Sequence, residues 1–171
     1  MELVWICPCC GKQYNTLSFA YALDEPDHWR AIPEAERSER GVIGTDSCVI
    51  DRQEFFIRGR VVIPVIGKKS PFIWGCWASV SEQNFARFGK LWDVKLREHE
   101  PPIPGQLASD IPLYPGTLSL NCNIVMKNAG KRPSFELGLT DHPLANEQRN
   151  GITLDRVKEF AAVILKHSRE K

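Results

Sequence analysis

The stretch TLSLNCNIVM, residues 117–126, alternates apolar and polar side chains almost without a break. In an extended chain Leu118, Leu120, Cys122, Ile124 and Met126 fall on one side, and Thr117, Ser119, Asn121 and Asn123 on the other. A period of two predicts a half-buried antiparallel strand, one face on a core and one toward water. The period returns after the NAGK turn, in RPSFELGL, where Phe135, Leu137 and Leu139 alternate. Upstream, VIGTDSCVI (42–50), EFFIRGRVVIPVIG (54–67) and PFIWGCWASV (71–80) are rich in β-branched and aromatic residues and read as further strands. Gly59 inside the second of these predicts a bulge or a bend. GKKS makes the turn into the third.

Helices flank these strands. Pro33 suits the first turn of a short helix over Glu34–Arg40, which Gly41 ends. Ser81 is a predicted N-cap for EQNFARFGKLWDVKL, where Phe85, Phe88, Leu91, Trp92 and Leu96 recur at helical spacing. One more helix starts near Pro143. Another runs from Thr153 to about His167, with Leu154, Val157, Phe160, Ala161, Ile164 and Leu165 inward. The segment HEPPIPGQLASDIPLYPG (99–116) has no periodicity and reads as a crossing loop. LVWI is a short strand that leads into a cysteine turn. The expected fold is α+β: one domain over residues 1–171, a mostly antiparallel sheet with flanking helices and an N-terminal zinc-knuckle-like turn.

Composition limits the partners. Lys plus Arg number 22 and Asp plus Glu 21, a net charge of +1. Such a balance gives no reason to expect nucleic acid or an anionic membrane surface. No stretch has the length of a membrane span, and no basic region with a following apolar run opens the chain. The expected location is therefore the reducing cytoplasm, where six cysteines act as ligands, nucleophiles or core rather than disulfides.

Cys7-Pro-Cys9-Cys10-Gly11 has the form of a zinc knuckle. Cys7 and Cys10, three residues apart, can reach one metal ion, and Gly11 can take the positive φ the turn needs. A second such pair is missing, so Cys48, in the polar stretch TDSC, is the expected third ligand. His142, Asp46, Cys9 or a water would supply the fourth. The alternative is a set of small buried thiols without metal. Cys122 and Cys76 share the parity of apolar neighbours and are expected in the core.

The other ordered polar motif is TDHPLANEQR (140–149). Asp141 or His142 can cap the helix that starts at Pro143, with Glu147 and Gln148 a turn later. Alternatively, His142 is a ligand or general base oriented by Asp141 or Glu147. Arg58 lies in a strand and needs a partner, with Asp46, Glu136 and Asp141 as candidates. Trp74 and Trp77 face opposite sides of their strand, so at most one lines a groove. A ligand pocket, if present, is expected around His142, Arg58 and one of these tryptophans, with Glu147 above it. No residue is assigned as catalytic.

The order CPCCG, TDSCVID, FFIRG, IPV, FIWGCWASVSEQNF, LYPGTLSL, RPSFEL and TDHPLANEQRNGI resembles an uncharacterised, mainly bacterial family, domain of unknown function 2199. The resemblance spans almost the whole chain. It implies that Cys7, Cys10, Gly11 and Cys48 belong to the family pattern and that Cys9 is an extra cysteine. Family members often carry a histidine near the position of Tyr14. No activity follows from the resemblance. Three function classes remain: a non-catalytic cytoplasmic protein that binds a protein or small molecule and carries a structural zinc knuckle, a small enzyme, such as a metal-assisted hydrolase, with a site around His142 and Arg58, or a toxin-neutralising immunity protein.

Overall fold

A computed structural model describes residues 2–170. The chain opens with an antiparallel hairpin, β1 (Glu2–Ile6) and β2 (Gln13–Thr16), in which the Trp5 and Tyr14 rings stack 5.2 Å apart. Then follow β3 (Ala20–Ala22), α1 (Asp27–Arg30), α2 (Glu34–Arg40), β4 (Gly41–Ile43), β5 (Ser47–Ile50), β6 (Glu54–Ile63), β7 (Phe72–Val80) and α3 (Glu82–Lys90). The second half holds β8 (Ile103–Leu107), β9 (Asn121–Val125), β10 (Ser134–Leu137), α4 (Pro143–Asn150) and α5 (Leu154–Arg169). The fold is α+β with a mostly antiparallel sheet. Among the described residues no helix is long and apolar enough to cross a membrane.

The sheet closes on itself. β6 and β7 form a hairpin of nine consecutive residue pairs, from Phe55↔Val80 to Ile63↔Phe72. β7 continues antiparallel through β8 and β9 to β10, and β10 returns to β6 in parallel. Five strands thus make a small barrel. β3 extends it beside β7, and β5 and β4 extend it beside β6. Val61, Ile63, Phe72, Trp74, Ile103, Ile124 and Phe135 fill the main core, where Leu144 of α4 and Val157 and Phe160 of α5 join them. The opposite face of the long hairpin builds a second core from Trp29, Ile32, Cys48, Ile50, Phe56, Trp77 and Ala108. Small barrels are filled by side chains in this way and leave no lumen.

Several expectations are corrected. The register between β6 and β7 is unbroken at Gly59, so there is no bulge. A Cβ at this position would lie 2.4 Å from the Phe135 ring and 2.9 Å from the Pro133 carbonyl oxygen. Glycine is there to let β10 approach. The alternating strand starts only at Asn121, because Ser119 takes a φ of 66° and breaks the extension. Leu118 is 43% exposed, whereas the Thr117 hydroxyl is buried and donates to Ser109 O at 2.9 Å. From Asn121 onward the parity holds: Cys122, Ile124 and Met126 are buried and Asn121 and Asn123 exposed. Leu139 lies beyond β10 and is 96% exposed. The expected crossing loop contains β8. Pro104 fits there because Ile103–Gln106 pairs with β9 while β7 is reached only from Gln106 onward, so the proline interrupts no second ladder.

The helix from Ser81 stops at Lys90, and Leu96 is exposed at a φ of 61°. The cause is Arg97. Its fully buried guanidinium donates to the carbonyls of Trp92 (2.6 Å), Lys127 (2.6 Å), Asn128 (3.1 Å) and Lys131 (2.5 Å), with a longer contact to Leu91. It also lies 5.5 Å from the Trp92 ring centroid. These bonds bind the end of α3 to the turn after β9 and leave no room for two more helical turns.

Two stability outcomes follow. Gly59→Ala should lower unfolding free energy by ~1–3 kcal/mol through overpacking at the barrel seam, read from the urea midpoint at unchanged slope. Arg97→Met should cost at least about 3 kcal/mol, since several buried carbonyls lose their donor together. A loss below about 1 kcal/mol would mean that water replaces the guanidinium.

Candidate functional site

The cysteine turn sits at the tip of the β1–β2 hairpin. Cys7 N donates to Lys12 O at 2.9 Å and Gly11 N to Cys7 O at 2.8 Å, with Gly11 at a φ of 68°. This tight winding draws the three thiols together. The sulfurs of Cys7, Cys9 and Cys10 all lie within 4.8 Å of one another, and Cys7 Sγ and Cys9 Sγ are 2.9 Å apart. Cys7 is buried, while Cys9 and Cys10 are exposed. Thiolates around one zinc sit roughly 3.8 Å apart, given Zn–S bonds of about 2.3 Å, so the three thiols converge on the scale of such an ion and would hold it once the Cys7 and Cys9 sulfurs move apart from 2.9 Å.

The surroundings set the protonation of these thiols. The Lys12 backbone N–H, and then the Arg169 guanidinium, lower Cys10 to about 7. The hydrogen bond to Cys7, followed by burial, raises Cys9 to about 11, so metal-free Cys9 holds its proton. Arg169 also donates to the Tyr14 hydroxyl, which joins the end of α5 to the hairpin. Cys9 Sγ approaches Ala162 O at 4.0 Å from the same helix.

Cys48 lies elsewhere. It is buried in β5 within the second core, where burial, and then Glu25 and Glu54, push its thiol up to about 12. The sulfur that accompanies Cys7 and Cys10 is that of Cys9. Cys9, one of the candidates for the fourth position, is thus the residue whose sulfur the turn brings to the pair. Cys76 and Cys122 are both in the main core, as their strand parity predicts.

The TDHPLANEQR motif is used almost entirely by the fold. His142 is the N-cap of α4: Nδ1 accepts from Leu144 N at 3.1 Å, and Nε2 reaches Pro115 O at 2.9 Å. Both ring nitrogens are therefore occupied by the fold. Asp141 is exposed, and its carbonyl accepts from Asn146 Nδ2 at 3.2 Å. Glu147 accepts from the Tyr114 hydroxyl and from Arg156 Nε at 3.0 Å. Burial first, and then Glu147, raise Tyr114 and keep its phenol protonated. Gln148 accepts from Leu137 N at 2.8 Å and donates to Phe135 O at 2.9 Å. Arg149 donates to Gly138 O and Thr140 O at 3.1 Å each.

Arg58 pairs with a residue that sequence reasoning did not propose. It donates to Asp24 at 2.9 Å and to Thr45 O at 3.3 Å, and it lies 5.6 Å from the Trp77 ring centroid. Of the three candidates, Asp46, Glu136 and Asp141, none pairs with it, and Asp46 instead accepts from Arg132 at 2.7 Å. Trp74 and Trp77 do face opposite sides, and both are fully buried, one in each core. Trp77 Nε1 donates to Leu23 O at 3.0 Å. Arg58 and His142 thus have separate partners, and the two tryptophans serve packing.

The cap can be tested directly. His142→Ala should cost about 0.5–2 kcal/mol, and His142→Asn should recover most of it, because asparagine is a strong N-cap. Thermal unfolding of the three proteins checks this. A His142→Asn variant no better than His142→Ala would show that the bond to Pro115 O, rather than the cap, carries the residue.

Comparison with known proteins adds one finding. No curated protein and no solved structure matches the chain. A family model described as an uncharacterized protein conserved in bacteria (DUF2199) matches residues 6–152. The chain belongs to this family, domain of unknown function 2199.

Proposed function

We propose that the chain is a non-catalytic binding domain whose N-terminal hairpin is organised by a zinc ion on Cys7, Cys9 and Cys10. Water or a donor from a partner would complete the fourth position. The supporting observation is the convergence of these three sulfurs within 4.8 Å, two of them exposed, at the tip of a hairpin. Soft thiolate donors favour zinc over magnesium or calcium. A two-stranded hairpin is marginal by itself, and a metal clip on its turn supplies what its short ladder lacks.

The binding reading is favoured over hydrolysis by the charge beside the thiols. A zinc-bound water needs a general base within hydrogen-bond reach. The side chain that lowers the Cys10 thiol is that of Arg169, a permanent cation. His142, the candidate for such a role, and Glu147, the candidate to orient it, already carry internal hydrogen bonds. Six reduced thiols suit a reducing compartment such as the cytoplasm.

Protein purified without chelator should contain about one zinc per chain. Cys9→Ser and Cys10→Ser should lose the ion, and Cys48→Ser should keep it. The opposite pattern, with Cys48 required and Cys9 dispensable, would restore the ligand set read from the sequence. Absence of zinc even after refolding with excess metal would leave a plain thiol turn.

A further inference from the structure

The barrel is not sealed along its whole length. β10 and β6 meet at one register pair, Ser134↔Arg60, backed by a bond from Arg60 N to Pro133 O at 3.0 Å. Beyond that point the β10 groups that would bond to β6 are those of Phe135 and Leu137, and the Gln148 side chain takes both. Gln148 stands where a strand residue would stand. On the outer face above this split lies a cleft of about 580 Å³, lined in part by Val62, Ile73 and Leu137. Its size is that of a small-molecule site.

The charges around the cleft are unbalanced. Arg60, Lys127 and Arg149 line it, and none of them forms an ion pair among the described residues. Glu136 is the carboxylate on the same lining, and it pairs with none of the three. Arg60 stands apart from its neighbours in this respect. Arg58, two residues earlier, has Asp24, Arg132 has Asp46 and Arg156 has Glu147. The Arg60 head has a single long contact from Nη2 to Arg132 O at 3.5 Å, and its buried Nε, like that of Arg58, has no partner among the described residues. A buried guanidinium donor without an acceptor is costly and rare in a finished fold.

We propose that this seam cleft binds a small organic anion. Its phosphate or carboxylate head lies between Arg60 and Lys127, near the Ser134 hydroxyl, and its apolar body rests on Val62 and Ile73. Guanidinium and ammonium groups recognise both kinds of head by charge-assisted hydrogen bonds. The site is independent of the cysteine turn and stands whether or not that turn holds metal.

Titration of the full-length protein followed by 1H–15N NMR, with the arginine Nε–H region included, tests this. The probes are phenyl phosphate, benzoate, inorganic phosphate and benzyl alcohol. Phenyl phosphate, benzoate or both should shift the Arg60 Nε–H and the amides of Val62, Ser134 and Gln148 saturably. Whichever binds more tightly identifies the head group. Inorganic phosphate should bind more weakly, for want of the apolar contact. Lys127→Gln should weaken binding about tenfold, the scale of one charge-assisted contact. This variant leaves the Lys127 carbonyl, and hence the Arg97 anchor, intact. Arg60→Gln should abolish binding, and should it fail to fold, the charge reversal Lys127→Glu takes its place. Equal binding of benzyl alcohol would overturn the proposal. So would unsaturable shifts spread over surface lysines, or an affinity unchanged in Lys127→Gln and Lys127→Glu.

Discussion

Closure of the barrel at β6 and β10 is the constraint on which the other parts depend. The antiparallel hairpin of β6 and β7 pairs over nine residues. The last closure is parallel and rests on one bridge, at Arg60 and Ser134. So short a contact holds only because the backbones come very close. Gly59 permits that approach, with the Phe135 ring occupying the space a side chain would need. Without closure, the interior residues Val61, Ile63 and Phe135 would face solvent, and α4 and α5 would have no floor to pack on. The exposed edges of an open sheet would also invite pairing with other chains.

The long hairpin serves two cores through the simple alternation of a strand. Trp74 and Trp77 are three residues apart, hence on opposite faces, and each is fully buried in a different cluster. Most half-exposed sheets leave one face to water. Here β4, β5 and α1 cover part of the outer face, so Cys48, Phe56 and Trp77 are as dry as the barrel interior. The uncovered part of that outer face, over the split seam, is where the cationic cleft lies.

Patterns of period two and period 3.6 made much of this fold legible in the sequence. The helix over Glu34–Arg40, the caps at Ser81 and Thr153 and the parity of Cys122 and Ile124 all follow from local rules. What local rules missed was set by distant contacts. Gly59 reads as a bulge until Phe135 is placed against it. The helix after Ser81 reads as long until Arg97 is drawn into five carbonyls from two separate turns. Barrel closure itself has no local signature, because β10 meets β6 across some seventy residues of chain. At the cysteine turn, spacing identified Cys7 and Cys10. The third sulfur depends on how Pro8 and Gly11 wind the backbone, which a count of intervening residues does not record.

The same distinction separates polar residues that build from polar residues that remain free to act. TDHPLANEQR is the most ordered polar string in the chain, and order of that kind invites a catalytic reading. Yet His142 satisfies a helix end, Glu147 ties Tyr114 to Arg156, and Gln148 completes an interrupted ladder. Each meets a hydrogen-bonding need that a small closed barrel creates where a strand or helix stops. The cysteines divide by the same test. Burial raises Cys48, Cys76 and Cys122, which keeps them neutral and inert. Cys9 and Cys10 stand in solvent beside Cys7 with no structural duty that fully occupies them. Chemistry is to be sought where polar groups converge without being consumed. In this molecule that condition is met at the thiol turn and at the unpaired cations of the seam.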